Sequence, residues 1–440
     1  MVDMLKLSEF PEEVLHKILL FVPNVYKYKR ISKNIKRSIN KLTKLYDKKF
    51  QTVKAYYNND IKIIIKSLFL NNDEDTIIFL YNNIEKSKNY ISYYAGFYNN
   101  INLISLLNIK EYQIVAEGAA EGGHFNLVKL IVQLGASNYA KIATSAALFN
   151  HLDIVKYAVS LGATNYLDIA CHAAQSGNLE SVRYTIEELH VDNSYVIAET
   201  AAIFGYLDIV IYAVQLGANN YGNIIRAATR NNHLHIIKYI IDLGFNDYKS
   251  IAKIAAIFGY LNIITYLTDH DLNYEELAVC AAKYGHLDIF IYACQKGAQN
   301  YQFYIQEAIK GDHVNIVDYI VNKGYNDYER ITLVASNKGS LNVVKYGVSK
   351  GFNNFEEIVS AALDEGKSRL NVIQYAVECG YNDYEAIACN AAAVDHLDEV
   401  KFAIEQGARN YEIIRDIAKR WNYIDIVKYM DNVIEKSRMF

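Results

Sequence analysis

Proline, tryptophan and net charge are what this chain has least of. It carries 2 Pro and 1 Trp among 440 residues, and its formal net charge is −4. A balance so close to neutral argues against nucleic acid or a membrane as a partner of the whole chain. No run of 18 uncharged apolar residues occurs, so we expect no transmembrane span. Asp3, Lys6 and Glu9 interrupt the apolar N-terminal residues, and we therefore expect no signal peptide.

Catalytic motifs are also missing, and cysteine is scarce. The sequence contains no His-Glu-x-x-His, Gly-x-Ser-x-Gly or Gly-rich phosphate loop, so we predict no catalytic residue, no metal site and no cofactor. The 5 cysteines form no Cys-x-x-Cys motif and fall within helical patterns, where a free thiol behaves as a small apolar residue. This usage is typical of a reducing compartment, so we expect a cytoplasmic protein with slowly reacting thiols. The five are Cys171, Cys280, Cys294, Cys379 and Cys389.

Internal repetition is what the chain has in abundance. Residues 151–177 read HLDIVKYAVSLGATNYLDIACHAAQSG, and this pattern restarts about every 27 residues. A fixed period between 20 and 50 residues indicates a solenoid of stacked units, a surface that favours the binding of other proteins. The slot of His151 recurs at His124, Asn178, Tyr206, His233, Tyr260, His286, His313, Ser340, Arg369, His396 and Tyr423.

Each unit reads as two short helices. A short polar residue such as Asn165 precedes an aromatic one, which is typical of a helix N-cap. The second helix ends at a glycine such as Gly162, the left-handed position of a helix stop. Nothing alternates with period 2, so we predict an all-α fold with few or no strands. An alanine pair in the first helix predicts close passage of a neighbouring helix; it stands at 146–147, 173–174, 201–202, 255–256, 281–282 and 391–392.

The six histidines of the turn slot lie one to a repeat and are replaced freely by Asn, Tyr, Ser or Arg. A metal or catalytic centre would need them to converge on one point. We therefore interpret them as structural hydrogen-bonding residues of the turn.

These residues resemble a known family. The stretch 281–298, AAKYGHLDIFIYACQKGA, resembles the ankyrin repeat, and the likeness covers residues 111–440. The usual Thr-Pro-Leu-His start is absent and each unit is about six residues short, so we predict no β-hairpin finger. The short units are similar to those of ankyrin proteins from giant DNA viruses of amoebae, which would place the protein in a host cytoplasm. Residues 55–110 look like two degenerate repeats.

The N-terminal residues 1–54 differ from the rest and resemble an F-box, the module that docks on the Skp1 adaptor of a cullin–RING ubiquitin ligase. Ile35 stands where that family commonly has Trp. The alternative is an ordinary helix pair that caps the array. The adaptor-binding residues that the resemblance implies are Phe10, Pro11, Val14, Leu15, Ile18, Leu19 and Val22.

Charge separates this segment from the repeats. Residues 1–54 carry 13 Lys+Arg against 5 Asp+Glu, and the remaining residues carry 32 against 44. We interpret the basic stretch 27–54 as a solvated face. The acidic repeats disfavour nucleic acid as a partner.

Two slots of the first helix vary freely among repeats while the packing positions stay constant. They lie three to four residues apart, so they share one helix face. We predict that this face binds a protein target; solvated variation without selection is the alternative. The candidate target-binding residues are Glu199, Arg226, Arg230, Lys253, Lys283, Gln306 and Lys310.

We therefore expect a monomeric protein-interaction scaffold that is not an enzyme. With a true F-box, it would be a substrate receptor for a host ubiquitin ligase. The rival interpretation is a plain ankyrin scaffold or decoy with no link to a ligase. The sequence does not identify the bound target.

Overall fold

A computed structural model describes residues 61–364 and 368–437. Over these residues the chain forms 28 α-helices, one short 3-10 turn at Glu85–Ser87 and no strand, which confirms the predicted all-α class. The N-terminal segment 1–54, with every candidate adaptor-binding residue, lies outside the described residues.

The chain divides into two compact units, Met1–Ile240 and Ile241–Phe440. The first unit contains α1 to α13 and most of α14. The bounds are α1 Ile61–Leu70, α2 Glu74–Asn83, α3 Lys88–Phe97, α4 Ile101–Leu106, α5 Tyr112–Glu121, α6 Phe125–Gln133, α7 Tyr139–Leu148, α8 Leu152–Ser160, α9 Tyr166–Ser176, α10 Leu179–Glu187, α11 Ser194–Phe204, α12 Leu207–Gln215, α13 Tyr221–Arg230 and α14 Leu234–Asp242.

The second unit continues the same alternation of helices. Its bounds are α15 Tyr248–Phe258, α16 Leu261–Tyr266, α17 Tyr274–Tyr284, α18 Leu287–Gln295, α19 Tyr301–Lys310, α20 Val314–Val321, α21 Tyr328–Lys338, α22 Leu341–Ser349, α23 Phe355–Ala362, α24 Leu370–Glu378, α25 Tyr384–Ala393, α26 Leu397–Gln406, α27 Tyr411–Arg420 and α28 Ile424–Ser437.

Packing within each unit joins neighbours in the sequence. Most odd-numbered helices pack against the even-numbered helix that follows and against the odd-numbered helix of the next pair; α7, for example, contacts α8 and α9. Each unit is thus a stack of helix pairs, the architecture of a helical repeat solenoid. The degenerate segment before residue 111 forms two such pairs, α1–α2 and α3–α4.

The alanine pairs lie where first helices of successive repeats meet. All twelve alanines of the six predicted pairs have 0% exposed surface, which confirms the expected close passage. Glycines make the same approach between α3 and α5. A Cβ built on Gly96 would lie 2.2 Å from the carbonyl oxygen of Val115, so no larger residue fits there without moving the backbone.

The predicted caps are right in position except at Ser194, because Asn193 is the N-cap of α11. Two kinds of hydrogen bond occur among them. Asp247, Asp327 and Asp383 accept a hydrogen bond from the backbone N–H three residues on, as an N-cap does. Asn138 and Asn165 instead donate from Nδ2 to a carbonyl oxygen of the preceding first helix, Gln113 at 3.2 Å and Ala140 at 3.3 Å. In those two repeats the residue ties one repeat to the next.

The helix stops follow the prediction. The glycines after the second helices have positive φ, at residues 135, 162, 217, 244, 297, 324, 351, 380 and 407. Residues 188–193 form the loop between α10 and α11.

One core position breaks the apolar pattern. Glu399 in α26 occupies the slot that Ile154, Ile209 and Ile289 fill in other repeats, and all four side chains have 0% exposed surface. Neither carboxylate oxygen of Glu399 has a hydrogen-bond partner among the described residues. Burial of such a group without a partner costs free energy.

We therefore expect Glu399→Ile to raise the free energy of unfolding by about 1–3 kcal/mol, because it removes an unsatisfied buried carboxylate. Urea unfolding followed by circular dichroism measures the change. Glu405→Ile on the exposed side of the same helix is the matched control and should leave the transition nearly unchanged. A lower midpoint for Glu399→Ile would show that the carboxylate has a stabilising partner.

Candidate protein-binding surface

The turn histidines connect successive repeats. In five of them the ring Nε2 lies between 2.9 and 3.2 Å from a carbonyl oxygen near the end of the preceding first helix. Since a carbonyl only accepts, Nε2 carries the proton and donates. The structural interpretation is thereby confirmed for His124, His151, His233, His286 and His313, although their bonds reach the preceding repeat and not only their own turn.

A glycine of the preceding repeat lies beneath several of these rings. A Cβ on Gly205 would be 2.6 Å from the ring of His233, and one on Gly259 would be 2.6 Å from the ring of His286. Both glycines also have positive φ. Glycine is therefore required at both positions for two reasons: it adopts the left-handed backbone conformation, and it leaves the space that the histidine ring of the next repeat fills.

The face of the second helices is occupied by contacts between repeats. Cations of one repeat lie over aromatic rings of the next: Lys156 is 4.9 Å from the ring of Tyr184, and Arg183 is 4.4 Å from that of Tyr212. Tyr212 also donates to Glu187 at 2.8 Å. Burial and this carboxylate raise the pKa of Tyr212, so its phenol stays a protonated donor. These side chains are engaged within the chain.

In the first unit, the predicted face carries exposed cations. Arg226 and Arg230 of α13 are exposed, and Glu199 of α11 is partly exposed and accepts from Asn223 at 3.5 Å. The equivalent slot in α7 departs from the prediction. Thr144 is only 7% exposed and its hydroxyl donates to the carbonyl of Ala140, so that slot belongs to the core.

In the second unit, two of the predicted residues already have partners. The Lys253 ammonium lies 2.5 Å from a carboxylate oxygen of Glu276 in the next first helix, and that of Lys310 lies 2.5 Å from Glu307. Lys283 is exposed, and its ammonium lies 5.4 Å from the ring centroid of Tyr284.

Gln306 and Lys310 lie on the wall of a cleft of about 470 Å³ between α19 and α21. The sequence did not single out the opposite wall, where Arg330 and Lys338 of α21 lie. The sequence does depart from its pattern at these two helices, because Ala308-Ile309 and Ala335-Ser336 stand in place of the alanine pair.

The candidate binding residues are spread over first helices of both units. Gln306 and Lys310 share the cleft, whereas Glu199, Arg226, Arg230, Lys253 and Lys283 lie on other first helices. Within residues 61–364 and 368–437, no group of three His, Cys, Asp or Glu is placed to hold a metal ion. No helix in the same part of the chain is long and apolar enough to cross a bilayer.

No family model matches this chain, and no curated protein does.

The five cysteines are free thiols in different environments. Burial raises the pKa of Cys171, Cys280, Cys294 and Cys389, which lowers the thiolate fraction at neutral pH. Cys379 differs, because it follows the last residue of α24 and is exposed. Because of this exposure we now expect Cys379 to react faster than the other four, unlike the sequence-based expectation that all five react slowly.

We expect a thiol reagent at neutral pH to label one cysteine quickly and four slowly, since the thiolate is the reacting form. Raising the pH should speed up the slow phase as those four thiols ionise. Cys379→Ser should remove the fast phase, and Cys389→Ser should leave it intact. A fast phase that survives Cys379→Ser would contradict this assignment.

Proposed function

We propose that the chain is an ankyrin-type scaffold that binds a protein target through its first helices. The observation that supports this is the contrast within each first helix. The buried positions keep alanine and aliphatic residues from repeat to repeat, whereas the outward slots carry Arg226, Lys253 or Gln306. A constant core with a changing surface allows recognition to vary without loss of the fold.

The second-helix face is a poorer candidate for the target. Its cations and tyrosines contact one another between repeats, so a partner would have to compete with those contacts. By contrast, the guanidinium of Arg226 makes no ion pair among the described residues. Exposed cations that are not neutralised favour a partner with acidic side chains.

In this proposal the chain does no chemistry of its own. The F-box-like segment 7–35 would dock on the Skp1 adaptor, and the repeats would hold the target close to a ubiquitin-charged enzyme supplied by the host. The protein would act as a monomer in the host cytoplasm. The rival is a plain ankyrin scaffold or decoy without the adaptor.

We expect charge reversal on the first helices to change the partners that the full chain captures. Arg226→Glu and Lys283→Glu, made singly, should each reduce capture of the same acidic proteins from a host extract, because attraction becomes repulsion. Mass spectrometry identifies the proteins. Lys156→Glu on the second-helix face is the matched control with the same charge change. An unchanged set of partners for all three variants would count against the proposed face.

We expect purified full-length protein to bind Skp1 and Leu15→Asp to abolish that binding, since a charge would enter a desolvated contact. Biolayer interferometry measures binding, and thermal unfolding of the repeats should not change. In the F-box interpretation, the implied adaptor-binding residues would form an apolar ridge. Lys17 is not one of those residues, so Lys17→Asp should retain binding.

Absence of Skp1 binding by the unaltered protein would favour the plain scaffold. A lower unfolding temperature for Leu15→Asp would indicate that the ridge caps the repeats instead.

A further inference from the structure

The second unit has a cleft between α19 and α21. Its apolar wall is formed by Ile305, Ile309, Ile331 and Val334, and its volume is about 470 Å³. This size lies in the range of ligand sites and admits a few side chains, not a folded surface. Ile309 replaces the second alanine of the pair, so the helices here meet through a larger residue.

The charges around the cleft are mainly positive. Arg330 and Lys338 are exposed, and the Arg330 guanidinium makes no ion pair within the described residues. The Lys338 ammonium lies 3.0 Å from the amide oxygen of Asn337. The one carboxylate in the lining, Asp327, accepts the backbone N–H of Arg330 at 3.0 Å as a helix cap. Lys310 is neutralised by Glu307 at 2.5 Å.

Two cations beside an aliphatic wall favour a ligand that has both apolar and acidic groups. An aliphatic side chain fits the apolar wall, and a carboxylate fits the planar guanidinium of Arg330. The side-chain amides of Gln302 and Gln306 line the cleft and offer both donors and acceptors to a peptide backbone. A nucleic acid fits less well, because its phosphate backbone has no aliphatic group to place against the apolar wall of the cleft.

We propose that this cleft binds a short extended segment of the partner protein in which aliphatic and acidic residues alternate. The aliphatic side chain enters between α19 and α21, and the neighbouring carboxylate pairs with Arg330. This inference rests on the proposed scaffold function and specifies the class of sequence that the scaffold recognises.

Fluorescence anisotropy of the full-length protein with labelled peptides tests the proposal. The probe is Glu-Leu-Glu-Leu-Glu, and the comparison peptides are Lys-Leu-Lys-Leu-Lys and Glu-Ser-Glu-Ser-Glu. We expect the first to bind and both others to bind at least about tenfold more weakly, the loss expected for a charge-assisted contact. A labelled oligo-dT strand should not bind.

Variants of the cleft sharpen the test. Arg330→Glu should weaken binding of Glu-Leu-Glu-Leu-Glu by about tenfold or more. Val334→Asp should also weaken it, because a carboxylate would stand in the apolar wall. Lys419→Glu, an exposed first-helix position of the same unit, is the control with the same charge change and should bind normally. Circular dichroism confirms that each variant keeps its helices.

Several results would overturn the proposal: no binding of the acidic aliphatic peptide, equal loss for Arg330→Glu and Lys419→Glu, or oligo-dT binding that depends on Arg330. Failure here is separable from failure of the scaffold function. If Arg226→Glu and Lys283→Glu still lose partners, the scaffold function stands and only the cleft assignment falls. If those variants keep their partners while the peptide binds as expected, the cleft assignment stands and the assignment of partner binding to Arg226 and Lys283 falls.

Discussion

The close approach of first helices through alanine is the constraint on which the rest of the structure depends. The paired alanines have no exposed surface, and Gly96 meets the Val115 carbonyl so closely that a Cβ would collide with it. A backbone distance this short leaves no room for variable side chains on the packed side. Most variation therefore falls at the outward slots, with buried exceptions such as Thr144, Ile309 and Glu399, so the surface can differ between repeats that share a similar core.

The histidine contacts determine how one repeat is oriented on the repeat before it. A turn histidine reaches the carbonyl of the preceding first helix, and its ring fills the space above a glycine such as Gly205. Asn138 and Asn165 likewise donate hydrogen bonds to carbonyl oxygens of the preceding first helix. Because these bonds join defined atoms, they fix the orientation of one repeat on the next, which aliphatic contacts alone do not do.

Features that depend on residue spacing along the chain could be predicted from the sequence. Features that depend on distances between packed helices could not. Period, helix stops and alanine pairs follow from local spacing. The ion pair of Lys253 with Glu276, the burial of Thr144 and the cleft beside Arg330 depend on distances between helices that a repeat pattern does not specify. The repeat pattern also does not predict that Tyr212, Tyr304 and Tyr346 donate to acidic groups of the preceding repeat.

Packing that joins only neighbouring helices has a consequence for how such a gene can change. A repeat that is duplicated or deleted as a whole leaves two compatible alanine faces in contact, so the core is preserved. The histidine of the following repeat finds an equivalent carbonyl in whichever repeat comes before it. Unequal recombination between repeats can therefore lengthen, shorten or reorder the outward residues in one step. In such a lineage, new recognition surfaces arise by shuffling whole repeats as readily as by point mutation.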